Sequence, residues 1–276
     1  MLESLKNISG IVNLFCGIMA RRLGRRKEPK REDYMLKEQT KVDTGIFDEK
    51  TMVSLSKFFN LGIISKLGHP IARGKEADLY VAEPGTSDRV KGIDKIAMKF
   101  FRVETSSFFK MEDYIIGDRR FTHKLKAGKS KLGIIIEWCR KEYINLELAA
   151  KVGVDAPKPI MFNNSILAMS FIGADSKPAP QLRNFELDDP EKVLDKILKD
   201  VRSLYRVGLV HADLSEYNIL IHEGRPYLID FGQAVVIDHP NAQKFLERDV
   251  RNILGYFSKR YGITKDHAET MRRIRG

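Results

Sequence analysis

The sequence predicts an α+β fold of two lobes, with strands concentrated in the first lobe and helices in the second. Short strand patterns separated by turn residues occur between residues 78 and 171, interrupted by one long helical pattern. Amphipathic helices dominate after residue 190, and the Pro-Ala-Pro run at 178–180 breaks the chain between the two parts. With 276 residues, the chain is long enough for two lobes that share one interface.

Composition excludes several protein classes. Hydrophobic residues make up 43% of the chain and charged residues 31%, so a wholly disordered chain is excluded. Cys16 and Cys139 are the two cysteines and form no C-x-x-C pair, which excludes a disulfide framework and a structural zinc site. Unpaired thiols favour a reducing compartment, and we expect a cytoplasmic protein. The apolar stretch at 8–20 is too short to span a bilayer, so no membrane span is predicted.

Residues 1–45 are predicted to form a basic, flexible tail. Segment 21–31 holds seven basic residues and one acid, and a second patch at 119–131 holds six basic residues and no acid. Such patches suit phosphate-rich partners such as RNA or nucleotide, although a solvated segment without a partner fits the same pattern. Met19 is a second candidate start, because a basic Met-Ala-Arg-Arg sequence opens there.

We divide the rest into a helical extension at 46–67, a first lobe at 68–169 and a second lobe at 170–276. The extension shows apolar residues at helical spacing from Phe47, and Gly62 is its predicted stop. In the first lobe the predicted strands are 78–82, 96–101, 158–162 and 165–171, and the long helix is 134–152. Asn163-Asn164 is a hairpin signal between the last two strands. The second lobe has predicted helices at 190–207, 241–259 and 265–273, and predicted strands at 219–222 and 227–229.

The most specific motif lies in the second lobe. His211-Ala-Asp213-Leu-Ser-Glu-Tyr-Asn218 is followed by Ile229-Asp230-Phe231-Gly232, which is the order of the catalytic loop and metal site of protein kinases. In that chemistry Asp213 orients the acceptor hydroxyl and takes its proton. Asp230 and Asn218 supply the hard oxygen ligands that Mg²⁺ prefers. Gly232 is expected to allow a tight turn after Asp230. Each of these residues alone occurs in many unrelated proteins, but the full set in this order and spacing rarely arises by coincidence.

The first lobe supplies a candidate lysine for the phosphates. Ile96-Ala-Met-Lys99 matches the kinase strand of the V-A-I-K kind. Glu142 on the long helix is its predicted ion-pair partner, and Glu137 and Glu147 on the same helix compete for that role.

Two departures from an ordinary kinase are visible. A G-x-G-x-x-G loop is absent, and the corresponding segment 71–80 offers Gly74 and Lys75 instead. Only 44 residues follow Gly232, and no Ala-Pro-Glu motif occurs among them. That length is too short for an activation segment and a peptide-docking subdomain.

From residue 47 to the C-terminus the sequence resembles the RIO family of atypical protein kinases, and within it the Rio-one subfamily. The motifs that carry the resemblance are Gly74-Lys-Glu-Ala, Gly117-Asp-Arg-Arg-Phe121, Phe171-Ile-Gly173, Pro178-Ala-Pro180, the catalytic motif, Gly232-Gln-Ala234, His239-Pro-Asn-Ala and Glu247-Arg-Asp-Val-Arg-Asn252.

The resemblance implies a truncated bilobal kinase fold without an activation segment, which binds ATP and Mg²⁺ or Mn²⁺. Lys99 then contacts phosphates, Asp213 is the base, and Asn218 and Asp230 bind metal. The family also implies an aspartyl-phosphate at Asp230 and an ATPase-like cycle.

By the same resemblance, the adenine meets the hinge around Ser170 and Ile172, and the phosphates meet Gly74 and Lys75. The family usually has Glu at the Ser170 position and a Ser-Thr pair where this chain has Ala72-Arg73. Arg73 therefore either replaces a hydroxyl contact by charge or faces solvent.

The resemblance implies that the protein is a serine/threonine protein kinase that acts in maturation of the small ribosomal subunit. Its implied partner is the pre-ribosomal small subunit, both rRNA and protein. Ser130 is a candidate autophosphorylation site. The alternative is an ATP-gated ribosome-assembly binding factor that transfers little phosphate. A small-molecule kinase of the aminoglycoside or choline type is disfavoured, because it usually needs a larger substrate-binding insertion. The physiological substrate and oligomeric state stay open.

Overall fold

The structure is a computed structural model that describes residues 47–102, 114, 117–121 and 130–276. The predicted tail at 1–45 lies outside these residues, and so do its basic patch and both candidate starts. Most of the second basic patch also lies outside them. Within the described ranges, no helix combines the length and the apolar character that crossing a membrane requires.

The first lobe is built on a five-stranded antiparallel sheet of order β1-β2-β3-β5-β4. Its elements, in chain order, are α1 (Glu49–Asn60), β1 (Ile64–Arg73), β2 (Ala77–Pro84), a 3₁₀ turn (Asp88–Val90), β3 (Ile96–Phe101), α2 (Lys131–Lys151), β4 (Pro159–Asn163) and β5 (Ile166–Ser170). Asn164 adopts a φ of 51° in the β4–β5 connection, the left-handed conformation that asparagine tolerates in tight hairpins.

The second lobe is mainly helical. Its elements are β6 (Gly173–Ala174), β7 (Lys177–Pro178), a 3₁₀ turn (Leu182–Asn184), α3 (Pro190–Arg206), β8 (Leu209–Val210), β9 (Ile219–His222), β10 (Arg225–Leu228), β11 (Val235–Val236), α4 (Ala242–Tyr261) and α5 (His267–Arg275). The predicted α+β bilobal fold, strand-rich first and helical second, is confirmed.

The sheet of the first lobe packs between α1 and α2. Leu55 and Phe58 of α1 bury against alternate residues of β3 such as Met98, in one apolar cluster. The other face of β3 belongs to a second cluster, which contains Trp138 and Leu146 of α2 and continues into the second lobe. Because side chains alternate along a strand, Lys99 falls on the α2 face of β3.

The extension predicted at 46–67 is only partly helical. Helix α1 ends at Asn60, and β1 begins at Ile64 and pairs with β2. Register shifts between Ile64 and Lys66, between Leu67 and Pro70, and between Pro70 and Ala72 interrupt this pairing. Each irregularity shifts the side chains from one face of the sheet to the other. The sequence of β1 therefore lacks the alternation of apolar and polar residues by which a strand is recognised.

Two short strand ladders position the loops of the second lobe. Strand β8 pairs with β11, and β9 pairs with β10. The segment 211–218 lies between β8 and β9, and the segment 229–234 lies between β10 and β11. The pairing therefore brings the two halves of the catalytic motif side by side, although Asp230 follows Asn218 by twelve positions in the sequence.

Candidate active site

A cleft of about 410 Å³ lies between the two lobes. Its walls come from the nucleotide loop, β3, α2, the hinge and both halves of the catalytic motif. The predicted site residues that line it are Gly74, Lys75, Lys99, Glu142, Ser170, Ile172, Asn218 and Asp230.

Lys99 connects the two lobes at the centre of this cleft. Its Nζ donates to Glu142 Oε1 at 2.8 Å and Oε2 at 2.7 Å, and to Asp230 Oδ1 at 3.0 Å. Burial alone lowers the pKa of Lys99, but the carboxylates of Asp230 and Glu142 outweigh burial and raise it. Lys99 is therefore a permanent cation beside the space open to a ligand.

The structure selects Glu142 among the three glutamates predicted as partners of Lys99. Glu137 instead lies 3.4 Å from Arg140, and Glu147 is exposed and bonds to Tyr143. Only Glu142 lies on the face of α2 that meets β3, with 1% of its side chain exposed.

Asp230 is held in an unusual conformation with its carboxylate facing the cleft. Its φ is 65°, which is rare for a residue with a side chain. Its side chain is 44% exposed, and the charge of Lys99 lowers its pKa. Just before it, the Ile229 carbonyl accepts a hydrogen bond from His211 Nε2 at 3.0 Å. Burial lowers the pKa of His211 to about 4, so this imidazole is neutral and positions the chain.

Asp213 and Asn218 form the second half of the site. Asn218 Nδ2 donates to the Asp213 carbonyl at 2.8 Å and to Asp213 Oδ2 at 3.0 Å. Gln233 Nε2 donates to the same Oδ2 at 3.2 Å. Burial first, and the charge of Asp230 second, raise the pKa of Asp213 to about 6. A carboxylate of that pKa is suited to accept a proton near neutral pH.

Sequence reasoning missed the residue that holds the catalytic loop. Asp249 of α4 is 1% exposed, and its carboxylate accepts from the backbone N–H of Ala212 at 2.7 Å and of Leu214 at 3.1 Å. Arg248 donates to the Ala212 carbonyl, and Asn252 donates to the Leu214 carbonyl. A signal was present, because Asp249 occupies the buried face of α4 between Leu246 and Ile253, where an acid is rare unless it is paired.

The chain turns at 231–232, directly after Asp230, as expected. The φ of Gly232 is not positive, so the backbone conformation alone does not require glycine there. A Cβ at this position would lie 2.9 Å from Nε1 of Trp138. Close packing of this backbone on α2 therefore excludes a side chain.

The nucleotide loop and the hinge frame the cleft. The Gly74 N–H donates to the Ala77 carbonyl at 2.9 Å, which closes the turn between β1 and β2. Arg73 lines the cleft with Gly74 and Lys75 and is also exposed to solvent. At the hinge, the Ser170 hydroxyl accepts a hydrogen bond from the Lys158 N–H at 2.8 Å, which ties the end of β5 to the residue before β4.

Among the described residues, no group of three or more His, Cys, Asp and Glu side chains is placed to hold a metal ion. The candidate cation site instead combines the Asp230 carboxylate with the side-chain oxygen of Asn218. Both hydrogen bonds of Asn218 Nδ2 go to Asp213, which leaves Oδ1 of Asn218 as the atom of this amide that can bind a cation. These two groups fit the hard oxygen preference of Mg²⁺.

Comparison with known proteins identifies the family. The family model described as the RIO domain matches residues 78–270. RIO-type serine/threonine-protein kinase Rio1 of Haloferax volcanii is 38% identical over 251 residues, covering 90% of this chain and 83% of that protein. Rio1 of Thermoplasma acidophilum is 45% identical over 177 residues, covering 64% of this chain and 91% of the relative. Human RIO1 is 34% identical, over 78% of this chain and 37% of its own length.

Among solved structures, the Rio2 kinase of Chaetomium thermophilum in an ADP/Mg²⁺-phosphoaspartate complex has a TM-score of 0.61 and 22% identity to this chain. The match covers 82% of this chain and 66% of that chain. At this identity the likeness establishes the fold.

Proposed function

This chain belongs to the RIO family of serine/threonine-protein kinases, and from that premise we propose that it transfers the γ-phosphoryl group of ATP. The observation that carries the proposal is the contact of Lys99 with both Glu142 and Asp230 inside the interlobe cleft. Kinases need a lysine–glutamate pair and a metal-binding aspartate in place together. Here one ammonium group meets both carboxylates.

We assign ATP to the cleft with its phosphates near Lys99 and the nucleotide loop. Gly74 allows the backbone to come near the phosphates, and Lys75 and Arg73 add positive charge there. We assign the adenine to the hinge at Ser170 and Ile172, which line the opposite part of the cleft.

We assign Mg²⁺ to Asp230 and to Oδ1 of Asn218. The ion, when bound, supplies positive charge that neutralises the ATP phosphates during transfer. The protein contributes the orientation of both ligands. Lys99 fixes Asp230 Oδ1, and Asp213 fixes the amide of Asn218.

Asp213 is assigned as the general base. Its Oδ2 accepts from Asn218 and Gln233, so Oδ1 is the atom assigned to receive the proton of the acceptor hydroxyl. The hydroxyl oxygen then bonds to the γ-phosphorus as the bond to the bridging oxygen of ADP breaks. Serine or threonine hydroxyls are the acceptors that the family name supports.

A second route is supported by the phosphoaspartate in the Rio2 complex. In this route a carboxylate oxygen of Asp230 takes the γ-phosphoryl group and ADP leaves. Water then releases phosphate and restores the carboxylate. That cycle is an ATPase, and it suits the ATP-gated binding factor.

We further propose a role in small-ribosomal-subunit maturation in the cytoplasm, with the pre-ribosomal small subunit as partner. The net charge of +11 supports a partner rich in phosphate. ATP-dependent co-sedimentation with small-subunit particles tests this role. Co-sedimentation that is absent at low salt would contradict it.

The test of phosphoryl transfer is incubation with γ-³²P-labelled ATP and Mg²⁺. We expect label on the wild-type protein, no label on Asp230→Asn, and no hydroxylamine-stable label on Asp213→Asn. Asp195→Asn is the control, because Asp195 is an exposed acid of α3 whose side chain is 62% accessible. Label stable to hydroxylamine indicates phosphoserine or phosphothreonine, and labile label indicates the aspartyl-phosphate. ATP binding without label or hydrolysis in the wild type would overturn the proposal.

A further inference from the structure

Lys141 of α2 is a fully buried lysine that the proposed chemistry does not use. It is 0% exposed, and it directly precedes Glu142, which is 1% exposed. Its Nζ donates to the backbone carbonyls of Gly232, at 2.8 Å, and of Ala234. Its ammonium group also lies 5.3 Å from the ring centre of Trp138. No carboxylate contacts it at ion-pair distance among the described residues, which is unusual for a lysine removed from water.

Asn145, one turn further along α2, contacts the same segment. It is also 0% exposed, and its Nδ2 donates to the Phe231 carbonyl at 2.9 Å and to the Ala234 carbonyl at 3.0 Å. Its Oδ1 accepts from Arg120 at 2.9 Å. Arg120 in turn pairs with the buried carboxylate of Asp118 at 2.6 Å.

Together, the two side chains bind three of the four carbonyls that follow Asp230. The Phe231 carbonyl also accepts from the Ala234 N–H at 3.2 Å. The carbonyls of Gly232 and Ala234 accept from Lys141 and Asn145, and loss of a donor to a buried carbonyl costs free energy. Within the same segment, Gln233 donates to the base Asp213. Segment 231–234 therefore contacts both catalytic carboxylates: it directly follows Asp230 in the chain, and it bonds to Asp213 through Gln233.

The chain between Asp230 and α4 is short. Helix α4 begins at Ala242, so only residues 231–241 lie between them. Other kinases use a longer activation segment, and its phosphorylation, to bring the helix glutamate and the metal-binding aspartate into place. Here helix α2 itself bonds to the backbone that follows the aspartate.

We propose that Lys141 and Asn145 are positioning residues that hold segment 231–234, and through it Asp230 and Asp213, in the transfer-competent arrangement without phosphorylation of that segment. The inference rests on the proposed phosphoryl transfer for its kinetic readout. In this proposal helix α2 contributes three residues to the site: Glu142, which pairs with Lys99, and Lys141 and Asn145, which bind the backbone after Asp230.

Two substitutions remove the donors with little change of shape. Lys141→Met replaces the ammonium group by an apolar chain of similar length, and Asn145→Asp keeps the acceptor for Arg120 but cannot donate to the carbonyls. Lys151→Met is the matched control, because Lys151 is an exposed lysine at the end of the same helix.

We expect both variants to lower kcat by about tenfold or more, because small displacements of catalytic groups are costly. The Mg²⁺ concentration for half-maximal rate should rise. ATP affinity measured in EDTA should stay within about twofold of wild type, because neither side chain lies in the nucleotide loop or the hinge, to which we assign ATP. Lys151→Met should match the wild type in every measurement.

Amide hydrogen exchange of residues 231–236 gives a readout independent of turnover. It should be faster in both variants, with the exchange of β3 and β5 unchanged. If Lys141→Met does not fold, Asn145→Asp decides. Folded variants with wild-type kcat, Mg²⁺ dependence and exchange would overturn the proposal. If the wild type transfers no phosphate, the proposed function fails, and the exchange data alone decide whether these residues hold the segment.

Discussion

The two halves of the catalytic motif are held by different lobes and by opposite chemistry. The loop around Asp213 is fixed by α4 of the second lobe, where the Asp249 carboxylate accepts from two backbone N–H groups. The segment after Asp230 is fixed by α2 of the first lobe, where Lys141 and Asn145 donate to backbone carbonyls. The proposed base Asp213 is therefore held by the second lobe, whereas the proposed metal ligand Asp230 is held through the segment that the first lobe binds. A change in the angle between the lobes therefore changes the distance between Asp213 and Asp230.

Their electrostatic environments also differ. Burial and the neighbouring Asp230 raise the pKa of Asp213 to about 6, whereas Lys99 lowers the pKa of Asp230. Environments that separate the pKa values of two carboxylates indicate separate roles. Asp213 is suited to take a proton, and Asp230 is suited to stay ionised and bind a cation.

The largest expected effect comes from breaking the second-lobe anchor. Asp249→Ala leaves the Ala212 and Leu214 N–H groups buried without an acceptor. Each of the two groups costs about 1–3 kcal/mol, so we expect the free energy of unfolding, measured in urea, to fall by about 2–6 kcal/mol, together with loss of phosphoryl transfer.

Asp195→Asn is the control for that substitution. It removes an exposed pair with Lys265 and should cost less than about 1 kcal/mol. If both substitutions cost the same, Asp249 does not anchor the loop.

Glu142→Gln weakens the first-lobe side with a smaller effect on stability. The amide oxygen can still accept from Lys99, but the amide has no negative charge and its nitrogen cannot accept, so the ion pair and one of the two hydrogen bonds are lost. A hydrogen bond to a charged group is worth about 1.5–3 kcal/mol. We expect the transfer rate to fall about 10- to 100-fold. Glu147→Gln, on the exposed face of the same helix, should leave the rate unchanged. Equal rates for the two variants would argue against the Lys99–Glu142 pair.

The pH dependence of the rate sharpens the contrast between the two carboxylates. Asp213 accepts a proton only when ionised, so the rate at saturating ATP and Mg²⁺ should fall as the pH drops through about 6. Circular dichroism at each pH checks that the protein stays folded. A flat profile between about pH 5 and 8 would exclude Asp213 as the base.

The last prediction concerns stability at alkaline pH. Burial lowers the pKa of Lys141 to about 7 in the folded protein, below its usual 10.5. Between these values the unfolded chain binds more protons at this group, so its contribution to stability rises with pH. The stability of wild type relative to Lys141→Met should therefore increase from pH 7 towards 10, measured by urea unfolding. A constant or decreasing difference would contradict the burial of this amine.

The sequence predicted the parts of this site that local pattern determines. The motif from His211 to Gly232 and the strand of Lys99 are short and ordered. Lys99, Asn218 and Asp230 line one cleft, and Asp213 is hydrogen-bonded to Asn218 beside it. The choice of Glu142 over its neighbours needed the packing of α2 on β3, because all three glutamates share one helix. The bulged β1 lacked a strand period, so no sequence rule could find it.

The anchoring residues escaped prediction for another reason. Asp249 and Lys141 look like ordinary charged residues of amphipathic helices. Their partners are backbone groups 35 to 93 positions away in the chain. Only tertiary structure reveals such pairs, although a charge on the apolar face of a helix is a usable warning.

The most direct test of the shared cation and nucleotide site is ATP affinity with and without Mg²⁺. Calorimetry should show that Mg²⁺ tightens ATP binding to the wild type, and that Asp230→Asn and Asn218→Ala lose this gain while they still bind ATP in EDTA. Retention of the full Mg²⁺ gain by both variants would contradict the account.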